Sequence, residues 1–132
     1  MWICFILLRF AGMGKFEELK VFKISYELAF VIHQQSLTFP KYEQYALADQ
    51  LRRSSRSICA NVAEAYRKRR YPKHFISKLS DADSENTETS LWLDFARRFG
   101  YLDQVKFEEL TEQCASIGKL LNFMMKNHTL FC

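Results

Sequence analysis

Arg52, Arg53, Arg56, Arg67, Lys68, Arg69, Arg70, Lys73 and Lys78 lie in one short stretch that holds a single acid, Glu64, a local balance of +8. A guanidinium is a planar fork that donates two parallel hydrogen bonds to phosphate oxygens, so an arginine-rich run is chemistry for holding polyanions. Such binding is weakly sequence-specific and falls steeply with salt as counterions are released. Residues 81–112 carry the opposite excess, nine acids against Arg97, Arg98 and Lys106. Two readings fit this segregation. One is a basic face that binds RNA or DNA; the other is a set of surface ion pairs, within or between subunits, worth only about 0–1 kcal/mol each. Tyr66 and Tyr71 flank the basic run, placed either to stack on unpaired bases or to wedge a corner between helices.

Other chemistry is sparse. His33, His74 and His128 lie on separate segments, with no partner at ligand spacing. Glu85 and Glu88 lack the His three residues on that a carboxylate-bridged di-iron bundle requires. There is no glycine-rich phosphate loop and no nucleophile elbow. Cys4, Cys59, Cys114 and Cys132 show no CxxC spacing, so free thiols in a reducing cytoplasm are expected. The chain reads as non-enzymatic, with no metal and no cofactor.

The elements that must carry the cations follow from periodicity. Four glycines and two prolines among 132 residues, with 48% hydrophobic content, favour a helical interior over an all-β one. A first helix is expected over about Phe16 to Ser36, its stripe Leu19, Phe22, Tyr26 and Ala29, widened by Ile24, Leu28, Val31 and Ile32. Pro40 ends it. A second helix is expected from about Lys41 to Arg69, burying Leu47, Leu51, Ile58, Val62 and Ala65 along one arc, with Arg52, Arg56, Arg67 and Arg70 along another. Pro72 opens a third, with Phe75, Leu79, Ala82, Asn86, Thr89 and Leu93 inward. Small residues in its middle suit close approach of Ser54, Ser55, Ala60 and Ala63. Gly100 is the expected left-handed stop and Asp103 the N-cap of a fourth helix, burying Phe107, Leu110, Cys114, Ile117, Leu121 and Met124. Short connections make neighbours antiparallel, so the expected fold is all-α: an antiparallel up-down-up-down four-helix bundle.

Residues 1–12 stand apart from residues 13–132, the expected bundle domain. Trp2 to Leu8 is a seven-residue apolar run, far short of the ~20 residues that span a bilayer. It reads either as an extension upstream of a natural start at Met13 or as an apolar tail that docks on a groove. No membrane partner is expected.

Several motifs resemble the four helix bundle protein family, also called the 23S rRNA-intervening sequence protein, over about Phe16 to Lys126. They are Phe16-Glu17-Glu18-Leu19-Lys20-Val21-Phe22, Phe39-Pro40-Lys41-Tyr42-Glu43, Leu47-Ala48-Asp49-Gln50-Leu51-Arg52-Arg53-Ser54 and the signature Ser57-Ile58-Cys59-Ala60-Asn61-Val62-Ala63-Glu64-Ala65. Ala65 stands where the family usually has Gly, and Asp83-Ser84-Glu85 replaces a common Gly-Ser-x segment. The resemblance implies a bacterial, non-enzymatic homo-oligomer with a suspected nucleic-acid role. Some relatives resemble accessory proteins of diversity-generating retroelements, which implies a pentamer and a partner such as a reverse transcriptase. Gln50, Asn61 and Glu64 carry the family signature. Asn61 and Glu64 are expected either to fix helix register, by bonding across to Gln50, Ser84 or Asn86, or to cross a subunit boundary. The alternative function is a protein-binding scaffold or accessory subunit, whose basic face serves subunit contacts.

Overall fold

The computed structural model describes residues 16–132; the extension over residues 1–12 and the start at Met13 lie outside the described residues. Among these residues four α-helices follow one another: α1 (Lys20–Ser36), α2 (Leu47–Arg67), α3 (Pro72–Arg98) and α4 (Gln104–Lys126). Each packs on the next and α4 closes back onto α1, so the four enclose one core. The all-α four-helix bundle is the architecture expected.

Three helices bury the residues their spacing predicts. Leu47, Leu51, Ile58, Val62 and Ala65 of α2 are buried, as are Phe75, Leu79, Ala82, Asn86, Thr89 and Leu93 of α3. On α4 the stripe from Leu110 to Met124 is buried, with Phe107 packed at its edge. The signals between helices also hold. Gly100 has φ 81, and the bonds from its amide to Arg97 and from the Tyr101 amide to the Ala96 carbonyl (2.8 Å) form a Schellman stop. The Asp103 carboxylate accepts from the Lys106 amide at 2.7 Å, capping α4.

The first helix departs from expectation. Its buried stripe is Val21, Ser25, Leu28, Ile32 and Ser36, which keeps Leu28 and Ile32 of the expected band but turns away from its Leu19–Phe22–Tyr26–Ala29 line. Tyr26 and Phe30 are exposed and Phe22 is half-buried. The reason is hydroxyl chemistry. Ser25 donates to the Val21 carbonyl (2.8 Å) and Ser36 to that of His33 (2.7 Å), so both sit in the core with their polar atoms satisfied by their own helix. The α-helix also starts later, at Lys20, after a single 3₁₀ turn over Phe16–Glu18. The second helix likewise begins at Leu47 rather than Lys41. Residues Lys41–Glu43 form one 3₁₀ turn, and Ala46 (φ −120°, ψ −105°) breaks the run.

Small polar side chains set the inner crossings. The Thr89 hydroxyl donates to that of Ser54 at 2.8 Å between α3 and α2, both buried. Asn86 donates to the Cys114 carbonyl at 2.8 Å across α3 and α4, beside Gly118. No helix among the described residues is long and apolar enough to cross a membrane.

Candidate nucleic-acid interface

Alternation of helix direction places the end of α2 and the start of α3 at the same pole of the bundle, beside the N-terminal end of α1. Phe16 packs there against Tyr66 (centroids 6.5 Å apart), and Phe131 stacks on buried Phe75 at 6.2 Å. On this apolar plug sits the basic corner: Arg67, Lys68, Arg70 and Lys73 are exposed, and Arg69 is half-buried. No acid occurs between Glu64 and Asp81. Neither Arg70 nor Lys73 forms an ion pair among the described residues. Arg69 lies over the Tyr66 ring at 3.6 Å and donates its Nε–H to the Tyr66 carbonyl at 2.8 Å. That stack covers one face of Tyr66, whereas Tyr71 is exposed, its ring in aromatic contact with His74 at 5.8 Å.

The other cations of the ladder have separate fates. Arg52 is turned inward: it donates to the Ser36 hydroxyl at 2.9 Å, and to the Gln44 carbonyl at 2.6 Å and side-chain oxygen at 3.3 Å. Gln44 in turn donates to the Ser36 and Phe39 carbonyls, at 2.8 and 3.1 Å. Together they close the carbonyl end of α1 onto the turn before α2, so Arg52 belongs to this α1–α2 connection and not to a free cationic surface. Arg53 pairs with Asp49 one turn back at 3.0 Å. Arg56 points to α1, where its Nη2 meets His33 Nδ1 at 3.1 Å. Lys78 reaches from α3 to Glu64 on α2 at 2.8 Å, and that carboxylate raises the ammonium's pKa by hydrogen bond and charge.

The signature residues act locally. Asn61 donates to the Ser57 carbonyl on its own helix at 2.9 Å, not to Gln50, Ser84 or Asn86. Glu64 does cross to α3, though to Lys78. Gln50 is exposed. Cys59 is half-buried on α2, and burial pushes its thiol above the ordinary range, away from the thiolate form. No cluster of three metal-ligating side chains occurs among the described residues.

Two further features were not read from the linear pattern. A groove of about 380 Å³ between α1 and α2 is lined by Tyr26, Ala29, Phe30, His33, Arg56 and Cys59. At the opposite pole an aromatic ladder runs from Trp92 through Phe95 and Phe99 to Tyr101 and Phe39, with successive centroids 5.3–5.9 Å apart. The Tyr101 hydroxyl lies 3.2 Å from that of Tyr42 and donates to Glu43 at 3.0 Å. The i, i+4 spacing of Phe22, Tyr26 and Phe30 is the one sequence signal for the groove, visible once it is separated from the true core stripe.

A family model described as 23S rRNA-intervening sequence protein matches residues 17–123. A crystal structure of a protein of unknown function from the S23 ribosomal protein family of Bacteroides thetaiotaomicron VPI-5482 superposes with a TM-score of 0.75. That protein is 30% identical, and the match covers 81% of this chain and 96% of that one. No curated protein matches this chain.

Proposed function

Because the chain belongs to the 23S rRNA-intervening sequence protein family, we propose that it binds nucleic acid without catalysing a reaction, as a homo-oligomer that offers its basic corner to phosphates. The observation that carries this reading is the corner from Lys68 to Lys73: exposed cations in an acid-free run, with Arg70 and Lys73 outside any ion pair among the described residues. The α3 N-terminus adds the positive end of a 27-residue helix there, opened by Pro72. Contact is to the backbone and not to base edges, since no rigid element projects a reading helix from the corner. Self-association has its own surface in this reading. The exposed apolar side chains Phe95, Phe99, Val105 and Tyr42 lie at the far pole, leaving the basic one open.

A second reading has one observation in its favour. A groove of about 550 Å³ between α1 and α4 is lined by Lys23, Glu27, Glu109, Glu112 and Gln113, and the Gln113 side-chain oxygen is buried without a hydrogen-bond partner among the described residues. It offers carboxylates to arginines of another subunit or of a partner such as a reverse transcriptase. Mobility shifts over a salt series decide between the two. With Lys68, Arg70 and Lys73 changed to Glu, loss of the shifted band at unchanged assembly mass supports nucleic-acid binding. Dissociation of the assembly by the same changes supports the scaffold, and a wild type that shifts no RNA or DNA at low salt overturns the first reading.

A further inference from the structure

We propose that the α1–α2 groove seats unpaired bases of a single-stranded nucleic acid, with the strand's phosphates running along the cationic edge of α2 toward the basic corner. This rests on the nucleic-acid reading above and narrows it to the unpaired form.

The groove brings aromatic rings and a guanidinium together. From α1 come two aromatic rings: Tyr26, stacked on Phe22 at 6.0 Å with 29° between their planes, and Phe30, a turn further on and 52% exposed. From α2 comes Arg56, held at the groove's rim by His33 at 3.1 Å. That contact engages one of the five N–H donors of the guanidinium and leaves the fork capable of a phosphate contact. Between Arg56 and Arg67 the same face of α2 carries Cys59, Ala60 and Ala63, short and uncharged. Eleven residues along an ideal helix give about 16 Å of rise and return to within about 20° of the starting azimuth. The two arginines therefore mark the ends of one edge, long enough for a few nucleotides, with rings alongside it.

That arrangement selects the form of the ligand. Base–aromatic stacking needs a base whose π-face is open, which a duplex hides inside its own stack, and stacking tolerates any sequence because every base has such a face. A duplex meets only the phosphate-binding corner. A volume of about 380 Å³ accommodates a base but not a helix. Arg56 at the groove's rim and Arg67 at the basic corner share one side of α2, and this alignment of positive charge favours a polyanion over a second copy of the chain as occupant.

Fluorescence anisotropy with a labelled 12-mer oligothymidylate, the same strand built from abasic units, and a blunt duplex tests the proposal, with sedimentation equilibrium run on each variant. Phe30 is half-exposed, so Phe30→Ala keeps the fold, which circular dichroism checks. The expected result is that Phe30→Ala weakens oligothymidylate binding roughly tenfold and leaves duplex affinity and assembly mass unchanged. The abasic strand binds wild type as weakly as the variant binds oligothymidylate. Arg56→Gln weakens the oligothymidylate and abasic strands together. Equal affinity for the base-bearing and abasic strands overturns the inference, as does a change of assembly mass in Phe30→Ala, which assigns the groove to another subunit. If duplex still binds in either case, the corner's role stands; if nothing binds, both proposals fall.

Discussion

One arginine can serve the fold or a ligand, and its neighbours decide which. Arg52 and Arg56 are one turn apart on the same helix. Arg52 meets a hydroxyl, a carbonyl and an amide oxygen at the end of α1, while Arg56 meets an imidazole at an open groove. Hydrogen bonds to a charged group contribute about 1.5–3 kcal/mol where they are shielded from water. Arg52→Ala is therefore expected to lower unfolding stability by about 1–3 kcal/mol, because it also leaves Gln44 and Ser36 short of a donor. A urea midpoint shift at unchanged slope measures it. Nucleic-acid affinity of the folded variant should match wild type; an affinity loss with unchanged stability would return Arg52 to the phosphate-binding set.

At the scale of the element, each helix shows how polar residues enter a core. Ser25, Ser36 and Ser55 bond carbonyls of their own helices, Thr89 bonds Ser54, and Asn86 bonds the Cys114 carbonyl. Gly118 lies where Asn86 approaches α4, and a methyl group there would stand 3.5 Å from the Asn86 nitrogen, an ordinary contact. Glycine inside a helix costs about 0.8–1.0 kcal/mol relative to alanine. Gly118→Ala is thus expected to stabilise the protein by about 0.5–1 kcal/mol, read as a higher melting temperature. A lower one would show that α4 slides against α3 to make room, and that the Asn86 bond is strained by any added bulk.

Across the whole molecule the chemistry is polar along the bundle axis: a basic corner at one end, an aromatic ladder at the other. α3 links them over 27 residues, about 40 Å. Positive charge thus lies at one end and exposed apolar surface at the other. If Lys68, Arg69, Arg70 and Lys73 each neutralise one phosphate of a single strand, log affinity should fall against log salt with a slope of about −3. Titrations between low and physiological salt measure that slope. A slope near zero would mean that these cations release no counterions and touch no phosphate.

The helices, their order, the α2, α3 and α4 stripes, the Gly100 stop and the Asp103 cap were legible from spacing alone, because each depends on residues a few positions apart along a regular coil. The clustering of positive charge was legible for the same reason. Which cations remain available was not. Arg52 is satisfied by Ser36, sixteen residues away, and Glu64 by Lys78 on the next helix. The α1 stripe was misread because hydroxyls bonded to their own backbone behave as core residues, which no hydropathy pattern registers. Periodicity along one chain determines which face each helix buries to first order, whereas the partner of a long polar side chain is set by whatever a distant segment brings within about 3 Å, and only the folded bundle decides that.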